Sequence, residues 1–236
     1  MPILALLRHG QSQWNLENRF TGWVDVDLTA EGVAQAQKGG ALMQAEGLAF
    51  DRAYSSVLTR AVRTGEIALQ AMDQLWIPLV KHWRLNERHY GGLTGLDKAE
   101  TAKTHGEAQV TAWRRSYDIP PPPLERSNAY DFHGDRRYAG APIPDTESLK
   151  ITLERVLPYW SVEIAPHAAR GETLLVAAHG NSIRAIVKHL FAVPDDRIVG
   201  VEIPTGNPLL IELDAALKPA AARYLDRSRA EALPPI

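Results

Sequence analysis

Two stretches of this chain follow one plan, and that plan narrows what the chain can fold into. Ile3 to Leu7 is an uninterrupted apolar run that stops at Arg8-His9-Gly10. Thr173 to Ala178 leads to a second stop of the same kind, His179-Gly180-Asn181-Ser182. An apolar run without polar alternation, ended by a glycine turn, reads as a buried parallel strand. In sheets of that kind ligands bind just beyond the carboxyl ends of the strands. Arg8, His9, Ser12 and Asn15 fall there. Gly10 lets the backbone turn sharply and approach a ligand closely. One histidine after a strand is usually structural. Two strands of one sheet would each deliver a histidine to the same edge. Arg8 and Arg60 suggest an anion between them.

The chain has 236 residues, long for one domain and short for two. It reads as one α/β domain over 1–236, with a long insertion at about 106–144 that acts as a lid and a mobile tail from about 225. Its net charge of -2 argues against a generic nucleic-acid binder, although a few clustered arginines still make a local anion site. There is no cysteine, hence no disulfide framework and no thiolate chemistry. No basic leader with an apolar segment precedes the first strand, and no apolar run approaches the roughly 20 residues of a spanning helix. A soluble cytoplasmic protein without membrane or nucleic-acid partners is expected.

Thr29-Ala30-Glu31-Gly32 reads as a helix start, with Thr29 as the cap. Val33, Ala36, Gly40 and Met43 then give one packing face, weakened by Gly39-Gly40. A short strand over Arg52 to Ser56 precedes a helix with Leu58, Ala61, Gly65, Ala68 and Met72 inward. Another strand-like run goes from Leu79 to Leu85. Helices are expected over Asp97 to His105 and over Glu107 to Tyr117. A further helix starts at Thr146-Glu147-Ser148, which Pro158 should kink or end early. Val199 to Ile203 and Leu209 to Leu213 flank a turn and read as an antiparallel pair. The chain from Lys218 reads as an Ala- and charge-rich tail.

The wording of four stretches resembles the histidine phosphatase superfamily and, within it, the cofactor-dependent phosphoglycerate mutase family. They are Leu7-Arg8-His9-Gly10-Gln11-Ser12-Gln13-Trp14-Asn15, Phe20-Thr21-Gly22-Trp23, Asn86-Glu87-Arg88-His89-Tyr90-Gly91-Gly92-Leu93 and Ala178-His179-Gly180-Asn181-Ser182. Tyr117-Asp118-Ile119 and four prolines stand between the last two. The resemblance runs to about Tyr224. It implies a three-layer α/β/α fold with a mostly parallel central sheet and one antiparallel edge strand. It also implies interconversion of 3-phosphoglycerate and 2-phosphoglycerate, 2,3-bisphosphoglycerate as primer, and a homodimer.

Phosphoryl transfer needs cationic donors on the equatorial oxygens, and arginine grips them bidentately. Arg8 and Arg60, joined by Asn15, are the candidate clamps. Alone, Arg60 would read as a solvated helix charge. A largely neutral imidazole has a nitrogen free to attack phosphorus, so His9 is the candidate nucleophile. His179 would stabilise the transferring charge as a donor. Glu87 is the candidate proton carrier; alone it would read as a partner of Arg88. Gly10, Gln11, Ser12, Thr21, Gly22, Gly180 and Asn181 are expected to complete the cradle. Tyr90, Arg88 and His89 come with the Glu87 motif, and Lys98, Arg114 and Arg115 would hold the far phosphate and the carboxylate. His82, His105, His133, His167 and His189 match no site pattern. No metal-ligand spacing, nucleotide loop or paired cysteine occurs. The two alternatives are a phosphatase of the same superfamily and a silent phosphoester-binding module.

Overall fold

The computed structural model describes residues 1–236. In chain order the elements are β1 (Ile3–Arg8), α1 (Gln13–Leu16), α2 (Ala30–Ala45), β2 (Arg52–Ser55), α3 (Thr59–Ala71) and β3 (Leu79–Lys81). Then come α4 (Lys98–His105), α5 (Glu107–Arg115), α6 (Leu149–Tyr159), α7 (Ala165–Ala169), β4 (Leu174–Ala178), α8 (Gly180–Leu190), β5 (Leu209–Leu213) and β6 (Pro219–Tyr224). The six strands form one sheet in the order β3-β2-β4-β1-β5-β6.

The two apolar runs are central neighbours, β1 and β4, paired in parallel with Arg8 opposite Ala178. Their residues alternate between two cores, as the period of a strand requires. Leu4, Leu6, Leu174 and Val176 face the core under α6 and α8. Ala5, Leu7 and Leu175 face the core that includes Met43 of α2 and Leu69 of α3. That is the expected three-layer α/β/α arrangement. No helix is long and apolar enough to cross a membrane.

Three expectations are corrected. Only β5 runs against the other five strands, but it is not the edge: β6 lies outside it. The antiparallel partner of Leu209–Leu213 is therefore Pro219–Tyr224, not Val199 to Ile203. Ile198–Gly200 is a 3-10 turn, and Ile198, Val201 and Ile203 are buried as loop side chains. As expected, Pro158 interrupts its helix: the α-helix ends at Tyr159 and the chain continues as a π segment over Trp160–Ile164. A proline withholds one i→i−4 bond, and a widened turn is a common response.

The adjacent glycines of α2 have a packing reason. A Cβ on Gly40 would lie 2.4 Å from the Ala68 carbonyl oxygen of α3, so the two helices cross at backbone distance. In the lid region, Arg136–Tyr138 is the only helical turn after α5. Phe132 and Tyr138 are nonetheless buried against Trp23. Pro122 and Pro123 run along Gly91-Gly92, where Gly92 N–H donates to the Pro122 carbonyl at 2.7 Å. Gly91 has φ +56° and a Cβ there would strike that carbonyl, so only glycine fits.

Candidate active site

His9 and His179 each stand one residue past a register pair of the central strands. Their ring centroids lie 5.0 Å apart at an interplanar angle of 62°. Both are buried. The Nδ1 edge of His9 lies 2.7 Å from the Gly10 carbonyl oxygen. A carbonyl only accepts, so Nδ1 carries the proton and Nε2 keeps its lone pair. Burial first, then the charges of Arg60 and Arg8, hold His9 well below its ordinary value. The ring is therefore neutral and nucleophilic near pH 7. His179 is held down in the same way, by burial and then by Arg60, His9 and Arg8. Its Nε2 lies 2.7 Å from Ser56 Oγ, and its Nδ1 is buried without a partner.

The arginines beside them are fixed by backbone carbonyls. Arg60 donates to Val24 and Gly22, both at 2.8 Å. Burial, the largest influence on it, lowers Arg60 to about 10, which leaves it cationic. Arg8 donates to the Ile203 carbonyl at 2.7 Å, while its Nε is buried and unpartnered. An unpartnered buried donor costs about 1–3 kcal/mol, so several at one place point to an anion. Glu87 Oε1 accepts from the Arg88 and Asn181 backbone N–H groups, at 2.7 and 3.2 Å. Gly180 opens α8 against Arg8 and Glu87: a Cβ there would lie 3.5 Å from the Arg8 guanidinium and 3.7 Å from Glu87 Oε2. The positive end of the α8 dipole thus meets the pocket.

Seven cationic side chains line the pocket against two carboxylates, and only Tyr90 and Ile203 are apolar. Arg8, His9, Asn15, Thr21, Arg60, Glu87, Tyr90, Lys98, Arg114, Arg115, Gly180 and Asn181 line it as expected. Asn15 uses Oδ1 to accept the Ser12 N–H, leaving its amide hydrogens for the pocket. Burial works to raise the Tyr90 phenol, but Arg88 and Lys98 prevail and hold it below its ordinary value. Lys98 is lowered, mainly by burial and then by Arg114 and Arg8.

Besides the buried His179, six expected residues stand behind the lining. Gly10 is where β1's exit crosses α2 at backbone distance from Gly32. Gln11 gives its side chain to Thr29. Ser12 is the buried N-cap of α1. Gly22 spends its carbonyl on Arg60. Arg88 is fully buried, donates to the Arg114 carbonyl at 2.8 Å and lies over the Tyr90 ring. His89 is buried against Trp23 and Phe132, accepts the Gly91 N–H, and is lowered to about 4 by burial.

Arg19, Arg184, Glu202 and Ile203 line the pocket without having been anticipated. Arg184 was within reach of the sequence: it follows Asn181 by three on α8, one turn along the same face. It donates to Asn181 Oδ1 at 3.1 Å and keeps Nε buried and unpartnered. Burial and then Arg88 lower it to about 10, so it too stays cationic. Glu202 pairs with Arg115; nothing in its local wording marks it.

Residues 4–136 match the family model of the Histidine phosphatase superfamily (branch 1). A 2,3-bisphosphoglycerate-dependent phosphoglycerate mutase of Caulobacter sp. (strain K31) is 72% identical over 236 residues, all of both chains. Its namesake from Hyphomonas neptunium (strain ATCC 15444) is 62% identical over 234 residues, 99% of each. The solved mycobacterial glucosyl-3-phosphoglycerate phosphatase complexed with VO3 matches with TM-score 0.73 at 21% identity, over 95% of this chain and 97% of that one. At that identity the likeness is one of fold.

Proposed function

Because the chain belongs to the histidine phosphatase superfamily, we propose that it interconverts 3-phosphoglycerate and 2-phosphoglycerate, primed by 2,3-bisphosphoglycerate. The observation that carries this reading is the pair of imidazoles 5.0 Å apart, flanked by Arg8 and Arg60 and with Glu87 in the same lining.

The donor set suits a ligand with two phosphates and a carboxylate. Arg8 Nε and Arg184 Nε are buried donors without partners, His179 Nδ1 is a buried ring nitrogen without one, and Lys98, Arg114 and Arg19 add further charge. When bound, 2,3-bisphosphoglycerate supplies the phosphoryl group that loads His9. His9 Nε2 forms a bond to phosphorus as the phosphorus–oxygen bond breaks. Arg8, Arg60 and His179 carry the equatorial charge. The Glu87 carboxyl gives its proton to the departing alkoxide. In the return step the Glu87 carboxylate takes the proton of the substrate hydroxyl, whose oxygen attacks phosphorus and frees His9. One group serves both directions.

Thr21, Tyr90, Asn15, Gly180 and Asn181 orient the substrate. Gly10, Gln11, Ser12, Gly22, Arg88 and His89 hold those groups in place. The stretch at about 106–144 covers the phosphorylated histidine and limits hydrolysis; the chain works as one domain. Leu75 and Trp76, exposed just before the free edge of β3, support a homodimer formed there. The substrate class goes with a cytoplasmic enzyme acting without metal, membrane or nucleic acid.

The test is a coupled assay of 2-phosphoglycerate formation with and without primer. Isomerisation that depends on primer and exceeds phosphate release is expected. Release of inorganic phosphate as the main reaction would replace this reading with a phosphatase.

A further inference from the structure

Glu147 and Arg155 do not line the pocket, yet they form the ion pair most deeply buried at both ends, with side chains 1% and 6% exposed. The contact is fork on fork: Arg155 Nε meets Glu147 Oε1 at 2.6 Å and Nη2 meets Oε2 at 2.9 Å. The other contacts of Arg155 go to the 3-10 turn Trp83–Leu85, where Nη1 also reaches the Trp83 carbonyl at 3.4 Å, and to the loop directly after it that carries Glu87. They reach the carbonyls of Arg84 at 2.7 Å, Asn86 at 3.3 Å and Glu87 at 3.2 Å. Glu147 holds the other end of that loop. Its Oε2 accepts the His89 N–H at 2.8 Å, and its own N–H donates to the His89 carbonyl at 2.9 Å. Trp23 Nε1 adds a donor to the Glu87 carbonyl at 2.7 Å.

Residues 86–90 lie in no helix or strand. Buried backbone of that kind needs partners from side chains. A buried ion pair is a weak source of stability, because desolvation offsets most of its attraction. Here the donors that the pair has left go to the backbone of the segment leading into Glu87 and to Glu87 itself. We infer that Glu147 and Arg155 are positioning residues that fix Glu87 for proton transfer. This rests on Glu87 as the proton carrier.

The experiment compares two phosphoryl donors in single-turnover phosphorylation of His9. The alkoxide leaving 2,3-bisphosphoglycerate needs a proton from Glu87. The aryloxide leaving p-nitrophenyl phosphate is stable without one. Arg155→Lys and Glu147→Gln are expected to slow the alkyl donor about 10–100-fold, the cost of a misplaced catalytic group, and the aryl donor by less than about 3-fold. A general structural role would slow both alike. Since either single change could unfold the chain, the double variant Glu147→Leu with Arg155→Met removes the clamp without leaving a buried charge. The same selective loss is expected there, with unfolding followed by circular dichroism. Trp23→Phe should give a smaller loss of the same kind. Glu87→Gln is the benchmark. If it spares the alkyl donor, the reading of Glu87 fails. If it is selective while the clamp variants slow both donors equally, or neither, the positioning role is overturned.

Discussion

The two ends of the pocket are built differently. At the reacting end His9, His179 and Arg60 are almost fully buried, and their side chains are tied to Gly10, Ser56, Val24 and Gly22. At the far end Arg19 and Arg115 keep about a third of their side chains exposed, and Arg115 leans on a carboxylate that is itself half open to solvent. The first end is preorganised by the sheet edge, which removes reorganisation from the chemical step. The second is carried by α4, α5 and loops, and suits a substrate that must turn around between two half-reactions. Substitutions at the first end should therefore act on kcat, and those at the second on KM.

The largest expected effect is at the reacting end. His179→Ala removes a donor to the transferring phosphoryl and should lower kcat about 100–1,000-fold with little change in KM. Steady-state isomerisation rates measure it; a change in KM alone would break the contrast. Next, Arg114→Ala should raise KM roughly tenfold or more, the worth of one charge-assisted hydrogen bond, and leave kcat nearly unchanged. An equal fall in kcat would show that the far end stabilises the transition state as much as the near one does.

Acid should act through the buried imidazoles. His9, His179 and His89 are all held below the ordinary value of 6.5, His89 at about 4, and unfolding releases them to it. Below pH 6.5 the unfolded chain binds protons that the folded chain refuses, so stability falls as the pH drops. For His89 that loss develops between pH 6.5 and about 4. Thermal midpoints across this range should decline, and His89→Gln should flatten the slope. The smallest effect on catalysis is expected far from both ends. Gly40→Ala gains up to about 1 kcal/mol of helix propensity but forces a Cβ against Ala68, a strain of about 1–3 kcal/mol. Urea unfolding should show a net loss, with kcat and KM of the folded enzyme unchanged.

What was legible in the sequence follows the same division. The reacting end is written in local patterns, because an apolar strand, a turn and its histidine are contiguous. Two strands of one sheet, each delivering a histidine to the same edge, could be read from them, whereas Arg60, Glu87, Lys98, Arg114 and Arg115 came only with the family resemblance. The far wall could not. Val199, Val201 and Ile203 are apolar at strand-like spacing, yet Val199 is exposed and Val201 and Ile203 are buried by packing without a ladder partner. Pro219–Tyr224 opens on proline and continues Ala-Ala-Ala, with no apolar alternation, and becomes a strand only because β5 offers it an edge. Arg88 and His89 stand in a site motif but point into the packing. Adjacency in sequence to Glu87 did not decide which side chains face the ligand.

The claim on which the account rests is that His9 takes up a phosphoryl group. Incubation with 2,3-bisphosphoglycerate, followed by intact mass and peptide mapping at alkaline pH, tests it directly. One phosphoryl group per chain on His9, absent from His9→Ala, is the predicted result. An unmodified chain that still isomerises phosphoglycerate, or a phosphoryl group on another residue, would contradict it.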